Sequence, residues 1–595
     1  MKYLLIFILC VGVCRPSVQA SVLEIQDSAH VKKKVLLIGI DGLQFEKINT
    51  QSTPNFDAFK IVKAYVGGIV GTPSQQTTGS GPGWMTILTG VWNDKHGVIS
   101  NDTYNKCKAK TVFQYLKEHN PNSSITSIAT WMPIHDFVHG QMRYVDRRYD
   151  GGTDEDATKK ALDELNINDP DFMFVQYSSP DVIGHGSGYG KDYDESIRAM
   201  DTYIGKLTKA VRERVKKNKE EWLIILTTDH GRRGDGHHHG SQTAEEKTVF
   251  VGMNVLGNEE FNTTISEVPN KDYDSIYKYP PVTSILPTIL TYFNIKIDRD
   301  WQLSSPSFIG KEGPRRVMIN TQKNAIYWYS TDPGEAKIYK DNQLIATVPA
   351  KHGAYPIDPN IDDAPHGYTV MINGQSGSVT RDHFRIIGAT NWNDKRRALF
   401  IFNNSTYLFY DKVNNKSELG YPKSFSKDFY MGGEEYAEKT EAVLNWDDTS
   451  MFMFLNDGRY MRYNLIKNKL EKGYPKDINN NTWPGLEPYK NEIIGAVKMD
   501  NKKVYFFLRY GLYIVFDMQR NRTETTYAKE YNEKTLPGLQ PYASKISTTT
   551  DWSSQYFYIF LKDNTFLRYD KLKNKVMNDV PVVIDDKTWP GLINH

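Results

Sequence analysis

The segment Val35-Leu36-Leu37-Ile38-Gly39-Ile40-Asp41 is a continuous apolar run that ends on a carboxylate. It lacks the alternation of apolar and polar residues, which is typical of a strand buried on both faces of a parallel sheet. Residues 172–177 and 223–226 have the same pattern. Between these two runs lies a segment with one apolar stripe, made of Ile197, Met200, Ile204, Leu207 and Val211. Such a stripe predicts a crossover helix, so this part of the chain predicts an α/β fold.

The N-terminus carries the pattern of a secretory signal. Lys2 is followed by an apolar run over residues 4–13 and then by Ser17-Val18-Gln19-Ala20, so we predict a signal peptide over residues 1–20 with cleavage after Ala20. No later stretch approaches the roughly 20 apolar residues that a membrane-spanning helix needs. The sequence therefore predicts a secreted, extracellular protein without a transmembrane segment. Cys107 is then the only cysteine of the mature chain.

The net charge of the chain is close to zero. The 73 basic and 71 acidic residues leave a formal net charge of +2. This balance does not favour a nucleic acid polymer or an anionic membrane as a bulk electrostatic partner. N-glycosylation sequons predict a glycoprotein only weakly, because a chain rich in Asn, Ser and Thr produces several by chance. They start at Asn101, Asn122, Asn262, Asn404, Asn415, Asn480 and Asn521.

The C-terminal third repeats itself. Segments beginning at Tyr407, Tyr460, Tyr513 and Phe566 share an aromatic pattern and follow one another at intervals of 53 residues. The same interval separates the Trp-Pro-Gly or Leu-Pro-Gly turns over residues 483–486, 536–539 and 589–592. Four β-rich units of this length predict the blades of a four-bladed β-propeller. The pattern resembles hemopexin-like domains and covers residues 384–595, although the disulfide that joins the first and last blades in that family has no cysteines here.

A third region lies between the α/β part and the repeats. Short alternating runs, such as residues 325–329 and 368–372, are separated by Gly, Pro, Asp and Asn and predict a small β-sandwich-like module. We therefore expect an α/β domain over residues 21–312, a linker module over residues 313–383 and a propeller over residues 384–595.

Acidic and imidazole side chains follow all three buried strands. Asp41 ends the first run, Asp229-His230 follows residues 223–228, and Asp181 and His185 follow residues 172–177. Ligands of open α/β sheets bind beyond the carboxyl ends of the strands, where these side chains would converge. A spacing of four places Asp181 and His185 on one side of a helical turn, and their donor atoms suit zinc. At least one of His237, His238 and His239 would complete the metal set.

A hydroxyl-rich segment precedes a helical pattern. Thr77-Thr78-Gly79-Ser80-Gly81-Pro82-Gly83-Trp84 leads into residues 85–90 and places hydroxyl groups beside a helix N-terminus. The partial positive charge and free N–H groups of such a terminus can bind a phosphate oxygen and lower the pKa of a hydroxyl. The alternative role of a single serine there is a simple N-cap.

Together these motifs resemble the alkaline-phosphatase superfamily, most closely its type I phosphodiesterase/nucleotide pyrophosphatase branch, over roughly residues 33–300. The resemblance implies a mostly parallel sheet flanked by helices and two divalent ions, with zinc favoured. One ion would be held by Asp41, the nucleophile Ser80, Asp229 and His230. The other would be held by Asp181, His185 and His239, of which His239 is preferred over His237 and His238 because a Gly follows it. Ser80 matches the family's nucleophile position, and Thr78 is the alternative.

The implied activity is a phosphoric ester hydrolase that works through a phosphoseryl intermediate. The chain departs from the nucleotide pyrophosphatases, which have Thr at the nucleophile and Asn three residues later, where this chain has Ser80 and Gly83. This departure leaves the substrate open. Trp84 stands where the sulfatase signature needs a basic residue, which argues against sulfatase activity. The alternatives are a phosphomonoesterase, a phosphonate hydrolase, or a binding protein whose propeller recognises a protein or an extracellular surface.

Six further residues near these motifs could contact a substrate. Lys95, Arg232 and Arg233 are candidates for binding the phosphate, against the simpler interpretation that they are solvated surface charges. Trp131 and its neighbours Trp84 and Trp92 could stack on a substrate ring, against the simpler interpretation of core packing.

Overall fold

A computed structural model gives the structure of the protein. It describes residues 31–593 except 70–71, 102, 104–105, 271–274, 321–323, 358–364, 382–384, 393–395, 404–405, 425–435, 437–438 and 579. The predicted signal peptide, the sequon at Asn404 and the predicted boundary at residues 383–384 lie outside or at the edge of the described residues.

The N-terminal part is built on one seven-stranded sheet of order β2-β7-β6-β1-β5-β3-β4. Its strands are β1 (Lys32–Ile40), β2 (Lys60–Tyr65), β3 (Ile125–Ala129), β4 (Arg147–Asp150), β5 (Phe172–Tyr177), β6 (Glu220–Thr227) and β7 (Thr248–Met253). The central strand β1 pairs in parallel with β5 and β6, and β3 pairs in parallel with β4 and β5. Only β7 runs against its neighbours β6 and β2. The predicted, mostly parallel α/β sheet is confirmed.

Helices cover both faces of this sheet. They are α1 (Phe45–Ile48), α2 (Ser80–Thr89), α3 (Asn93–His96), α4 (Val112–His119), α5 (Pro133–Phe137), α6 (Asp154–Asp163), α7 (Ser179–Ser187), α8 (Lys191–Lys217), α9 (Ala244–Lys247), α10 (Glu259–Asn262) and α11 (Ile285–Tyr292). Alternate residues of β1 enter two separate cores, with Val35 and Leu37 on one face and Leu36 and Ile38 on the other. The long helix α8 buries its predicted apolar stripe in the second core.

Two smaller sheets follow. One has the order β11-β10-β13-β14 and the other β12-β9-β8, and both contribute to a shared core that contains Trp328 and Tyr368. Their strands are β8 (Arg315–Asn320), β9 (Ala325–Tyr329), β10 (Glu335–Lys340), β11 (Gln343–Pro349), β12 (Ala354–Pro356), β13 (His366–Ile372) and β14 (Gln375–Arg381).

The repeats form four antiparallel sheets of five strands each. The first sheet has β15 (Ile386–Asn391), β16 (Arg397–Phe402), β17 (Thr406–Asp411), β18 (Lys416–Ser417) and β19 (Lys423–Ser424). The second has β20 (Thr440–Asn445), β21 (Ser450–Leu455), β22 (Arg459–Asn464), β23 (Lys469–Leu470) and β24 (Lys476–Asp477). The third has β25 (Ile493–Lys498), β26 (Lys503–Leu508), β27 (Leu512–Asp517), β28 (Arg522–Thr523) and β29 (Lys529–Glu530). The fourth has β30 (Ile546–Asp551), β31 (Tyr556–Leu561), β32 (Thr565–Asp570), β33 (Lys575–Val576) and β34 (Val582–Val583).

Each of these four sheets shares a core with the next. The first and second sheets bury Leu399 and Met453 in one cluster, and similar clusters join the second to the third and the third to the fourth. The fourth sheet also packs against the first, where Phe400 lies 5.7 Å from Trp589 between ring centroids. The hydroxyl of Ser547 donates a 2.6 Å hydrogen bond to the carbonyl of Ile386 at the same junction. The first and last repeats are therefore joined by packing among the described residues.

Gly39 is the position at which the central strand meets the helix that carries Ser80. A Cβ atom at Gly39 would overlap the buried ring of Trp84, and the Trp84 Nε1–H donates a 3.0 Å hydrogen bond to Asp41 Oδ2. Glycine at position 39 thus leaves room for the Trp84 indole, which fills the core and also donates to the Asp41 carboxylate.

We expect Gly39→Ala to lower the free energy of unfolding by about 1–3 kcal/mol, because the added methyl forces Trp84 out of its place. Urea denaturation measures the change. Gly140→Ala is the matched control, since Gly140 has no neighbouring atom within 4 Å of an added Cβ. Equal stability of the two variants would contradict the expectation.

Candidate active site

The sheet brings the predicted site residues to one edge. Asp41 directly follows β1, and Asp229 lies just beyond the end of β6. Asp181 and His185 lie on α7, which begins after the parallel strand β5. Because β1, β5 and β6 are parallel neighbours, their carboxyl ends meet, and residues 188 positions apart in the chain come together.

One cluster of donor atoms surrounds the Ser80 hydroxyl. Ligand atoms of Asp41, Asp229 and His230 all lie within 4.8 Å of one another. The Ser80 Oγ lies 3.3 Å from Asp41 Oδ1 and 3.3 Å from His230 Nε2. The three ligand residues are buried, so this cluster is shielded from water.

A second cluster adjoins the first. His185 Nε2 lies 3.4 Å from Asp181 Oδ2, and His239 Nε2 lies 3.5 Å from Asp181 Oδ1. The two imidazole Nε2 atoms are 2.9 Å apart. The ligand atoms of Asp181, His230 and His239 also lie within 4.8 Å of one another, so the two clusters are continuous.

His239 differs from its two neighbours in this loop. Its Nε2 faces Asp181, whereas the backbone carbonyl of His237 accepts a 3.0 Å hydrogen bond from His185 Nδ1. The side chain of His238 is exposed. Of the three histidines left open by the sequence, His239 is the one whose ring nitrogen the structure places in the cluster.

All three clustered imidazoles point a lone pair inward. His185, His230 and His239 each have Nδ1 next to a backbone carbonyl, at 3.0, 3.1 and 2.8 Å respectively. A carbonyl can only accept a hydrogen bond, so Nδ1 carries a proton, and in the neutral form of the ring Nε2 is then an acceptor. Acceptors that face one another and carboxylates repel unless a cation lies between them. Backbone carbonyls that fix the tautomer in this way are typical of metal-binding histidines.

The carboxylates of the first cluster also favour a cation. Burial raises the pKa of Asp41, and the charge of Asp181 raises it further. The pKa of Asp229 is raised by burial and by the charges of Asp41 and Asp181. The buried Oδ2 of Asp229 accepts no hydrogen bond from any residue that the structure describes. An orphaned carboxylate oxygen beside two acids and an imidazole lone pair fits a divalent cation, and the mixed O and N donors fit zinc.

Burial keeps the imidazoles neutral. It lowers the pKa of His230, and the nearby charge of His239 lowers it further. Burial also lowers the pKa of His239 to about 4. Both rings are therefore available as metal ligands at neutral pH without losing a proton first.

Arg232 is buried in the site, so its interpretation as a solvated surface charge is wrong. Its side chain is fully buried, and its guanidinium donates to Asp181 and to the carbonyls of Gly236 and His237. Burial opposes ionisation of Asp181, but the positive charge of the adjacent Arg232 guanidinium lowers the pKa of this carboxyl group. Arg232 therefore ties the loop that carries His239 to the helix that carries Asp181.

The two other basic candidates are also engaged. Lys95 donates a 2.7 Å hydrogen bond to the carbonyl of Gln302, and burial lowers its pKa to about 8. Arg233 pairs with buried Glu246 at 3.1 Å. Neither residue belongs to the lining of the cleft described below.

The Thr78 hydroxyl uses its donor and both acceptor sites to position the loop that carries His239. Its hydroxyl donates a 2.6 Å hydrogen bond to Glu246 and accepts hydrogen bonds from the backbone N–H groups of Gly240 and Gln242, each at 3.1 Å. Its backbone carbonyl accepts from His239 Nδ1. A hydroxyl with these three partners is poorly placed to act as a nucleophile.

The helix α2 begins at Ser80 itself, with Gly79 as its N-cap. The sequence pattern predicts Ser80 just before the helix, whereas Ser80 occupies the first turn of α2. A Cβ atom at Gly83 would lie 2.6 Å from the backbone oxygen of Asp229. Glycine at position 83 therefore has a packing reason, because it allows the helix to touch the strand end that carries Asp229.

Asn101 is a residue of the site whose sequence signal is only the sequon that begins there. Its Oδ1 accepts a 2.7 Å hydrogen bond from the Gly81 N–H, in the first turn of α2. It lines the same cleft as Ser80. The sequence alone does not connect Asn101 with the site, because it lies 21 positions after Ser80 and no spacing rule relates the two residues.

A cleft of about 530 Å³ opens over the two clusters. Its walls are polar around Ser80 and Asp181, with Trp131, Val182 and Ile183 as the apolar part. Trp131 is half-buried, whereas Trp84 and Trp92 are core residues. Of the three tryptophans, Trp131 is the one available to a bound molecule.

The residues that form the fold and the site match a known protein family. Residues 35–235 match the family model for type I phosphodiesterase/nucleotide pyrophosphatase, which covers about a third of the chain. This part of the chain is therefore similar to phosphodiesterase/nucleotide pyrophosphatase domains, which agrees with the resemblance noted from its motifs.

Individual relatives are distant. GPI ethanolamine phosphate transferase 2 of Candida albicans is 22% identical over 230 residues, which cover 38% of this chain and 24% of the relative. The bis(5'-adenosyl)-triphosphatase ENPP4 of Pongo abelii is 22% identical over 289 residues, 44% of this chain and 56% of the relative. The chain thus spans only part of the length of these relatives. A solved structure of inactive murine ectonucleotide pyrophosphatase/phosphodiesterase 5 with AMP is 21% identical, with a TM-score of 0.27 over 33% of this chain and 57% of that one.

Replacing Asp229 with Asn separates metal binding from folding. Because burial raises the pKa of Asp229, its charge opposes folding when no cation is present. We expect Asp229→Asn to keep or raise the melting temperature of the metal-free protein, while zinc binding weakens by more than tenfold. Scanning fluorimetry with and without zinc, together with titration calorimetry, measures both effects.

The exposed Asp57→Asn variant is the control for a lost carboxylate. A zinc-induced shift in melting temperature that is unchanged in Asp229→Asn would argue against a metal at this cluster.

Proposed function

We propose that this protein is a two-metal phosphoric ester hydrolase of the phosphodiesterase/nucleotide pyrophosphatase type, with Ser80 as the nucleophile. The observation that carries the proposal is the Ser80 hydroxyl beside a set of inward-facing imidazole lone pairs and buried carboxylates. The family match over residues 35–235 supports the same reaction class.

The donor atoms divide into two sets. Asp41, Asp229 and His230, with the Ser80 oxygen, would hold one ion, and Asp181, His185 and His239 would hold the other. Two zinc ions would lower the pKa of the Ser80 hydroxyl and neutralise charge on the phosphate when they are bound.

The chain's own groups position the reaction. Ser80 Oγ attacks phosphorus and displaces the alcohol from the opposite side, and water then hydrolyses the phosphoseryl ester. The Asn101 carbonyl oxygen is occupied by the Gly81 N–H, so its NH₂ group is free to donate to a phosphate oxygen in the cleft. The positive N-terminal end of α2 favours the same negative charge. We therefore propose that Asn101 helps to bind the phosphate, a role for which its sequence context has no signal.

Two variants distinguish the nucleophile from the positioning residue. We expect Ser80→Ala to lower kcat by more than about 10³-fold, because the attacking atom is lost, while the fold persists and zinc still binds through Asp41, Asp229 and His230. Thr78→Val should instead lower stability by about 1–3 kcal/mol, because Glu246 and two backbone N–H groups lose a buried partner. It should also weaken zinc binding through the His239 loop, with residual turnover at saturating zinc.

The assay uses bis(p-nitrophenyl) phosphate as the diester and p-nitrophenyl phosphate as the monoester, each with zinc and with a chelator. Preference for the diester supports the proposal, whereas preference for the monoester would make the enzyme a phosphomonoesterase. Full activity of Ser80→Ala together with loss of activity in Thr78→Val would exchange the two roles.

We further propose the domain limits given by the sequence, with an enzyme domain to residue 312, a β module to residue 383 and a four-bladed hemopexin-like propeller from residue 384. Supporting the propeller are four similar sheets, each of which shares a core with the next, and the contact of the fourth sheet with the first. We also propose export through the predicted signal peptide. Among the described residues, no helix is long and apolar enough to cross a membrane.

A further inference from the structure

The four repeat sheets present four copies of one turn. We name these the tip turns, and they follow the third strand of each sheet at residues 413–416, 466–469, 519–522 and 572–575. Each contains an Asn with a left-handed backbone, with φ of 49, 50, 51 and 47° at Asn415, Asn468, Asn521 and Asn574. Asn tolerates this conformation better than most residues, so the turn geometry is encoded in every repeat.

Local hydrogen bonds fix these turns. Asn464 Oδ1 accepts from the N–H groups of Ile466 and Lys467 at the start of the second tip turn. The hydroxyl of Tyr463 donates a 2.7 Å hydrogen bond to Asn468 Oδ1. The fourth tip turn repeats the pattern, since Tyr569 donates to Asn574 and Asp570 accepts from the next residues. The tip turns are therefore rigid platforms for the side chains that they expose.

All four tip turns lie at the same end of the repeats. The backbone N–H groups at their starts donate to the turns between the first and second strands of the same sheets: Lys412 to Arg396, Leu465 to Thr449, Met518 to Lys502 and Lys571 to Gln555. All four of those inner turns, with the ends of all four first strands, contribute residues to the lining of one cavity of about 610 Å³. Leu572 of the fourth tip turn also lines this cavity, so the tip turns lie at the end of the repeats that carries it.

Three of the four tip turns expose an aliphatic side chain. Val413, Ile466 and Leu572 are 73, 72 and 79% exposed at equivalent positions, and Gln519 takes the place in the third repeat. An exposed aliphatic side chain alone needs no explanation, but the same exposure at matching positions is a repeated feature.

The same turns carry only basic charge. None of their sixteen positions is acidic, and all the basic side chains are exposed: Lys416, Lys467, Lys469, Arg520, Arg522, Lys573 and Lys575. The acids Asp447, Asp448, Asp500 and Asp551 line the cavity instead. The net charge of the chain does not reveal this clustering of basic residues, because acidic residues elsewhere balance them.

We propose that the tip turns dock the protein on an anionic lipid surface. Aliphatic side chains would enter the boundary between headgroups and acyl chains while neighbouring ammonium groups contact lipid phosphates. Basic residues near an anionic bilayer each add a small attraction, and four turns on one face sum these contributions. Docking would hold the enzyme part near a surface that itself contains phosphodiesters. This inference does not depend on the proposed catalytic activity.

The test is co-sedimentation of the full chain with vesicles of phosphatidylcholine alone or with 30 mol% phosphatidylserine, at low and high salt. Protein without N-glycans is used, because Asn415 and Asn521 begin sequons within the tip turns. We expect binding only to the anionic vesicles, with loss of binding as salt increases.

Two variants separate charge from apolar contact. Lys467→Gln/Lys469→Gln/Lys573→Gln/Lys575→Gln should weaken vesicle binding by more than tenfold, and Ile466→Ser/Leu572→Ser should weaken it several-fold at unchanged charge. The matched controls, Lys159→Gln/Lys209→Gln/Lys216→Gln/Lys217→Gln and Leu256→Ser, change exposed residues outside the tip turns and should bind as the unmodified chain does.

Heparin distinguishes a lipid surface from another polyanion. If heparin binds and the Ile466→Ser/Leu572→Ser variant retains full vesicle binding, the surface recognises charge alone and the lipid proposal is wrong. Equal binding to neutral and anionic vesicles, or full binding by the four-lysine variant, would also overturn it. Melting temperatures of all variants confirm that only the surface has changed.

Discussion

The site depends on repulsion among groups that the sheet forces together. Three imidazole lone pairs and three carboxylates converge at the carboxyl ends of β1, β5 and β6, where burial weakens the screening of charge. Backbone carbonyls hold the imidazole protons on the outer ring nitrogens, so the rings cannot relieve the repulsion by turning into donors. The core packing must supply the free energy that keeps these groups in place before a cation arrives. Trp84 contributes to both the core and the site, because its ring packs over Gly39 and its Nε1–H donates to Asp41.

The sequence predicted the sheet and the main cluster because both follow from local patterns. A buried parallel strand is visible as an unbroken apolar run, and an acid directly after it must lie at the ligand-binding edge. The spacing between Asp181 and His185 likewise predicts a shared helix face, and both residues lie on α7. The 53-residue interval identified four similar β units, which the structure describes as four five-stranded sheets.

Other site residues could not be predicted because tertiary contacts define them. Arg232 follows Asp229-His230 in a polar loop, and nothing local indicates that its guanidinium is buried against Asp181. The role of Thr78 depends on Glu246, which is 168 residues away in the chain. Asn101 contributes through a hydrogen bond to a backbone group of α2, and such bonds leave no spacing signal. The separation of charge at the tip turns was hidden for a related reason, since net charge averages over the whole surface.

The contact at Gly83 has a consequence for motion within the site. Ser80 belongs to a helix and Asp229 follows a strand, and these two elements meet there as backbone against backbone. Side chains adapt to thermal fluctuations by changing rotamers, whereas two backbone segments in contact have no such freedom. Small displacements of α2 are therefore transmitted directly to the end of β6. The Ser80 oxygen and the Asp229 carboxylate should fluctuate together, so their separation is conserved even when the cleft around them widens or narrows.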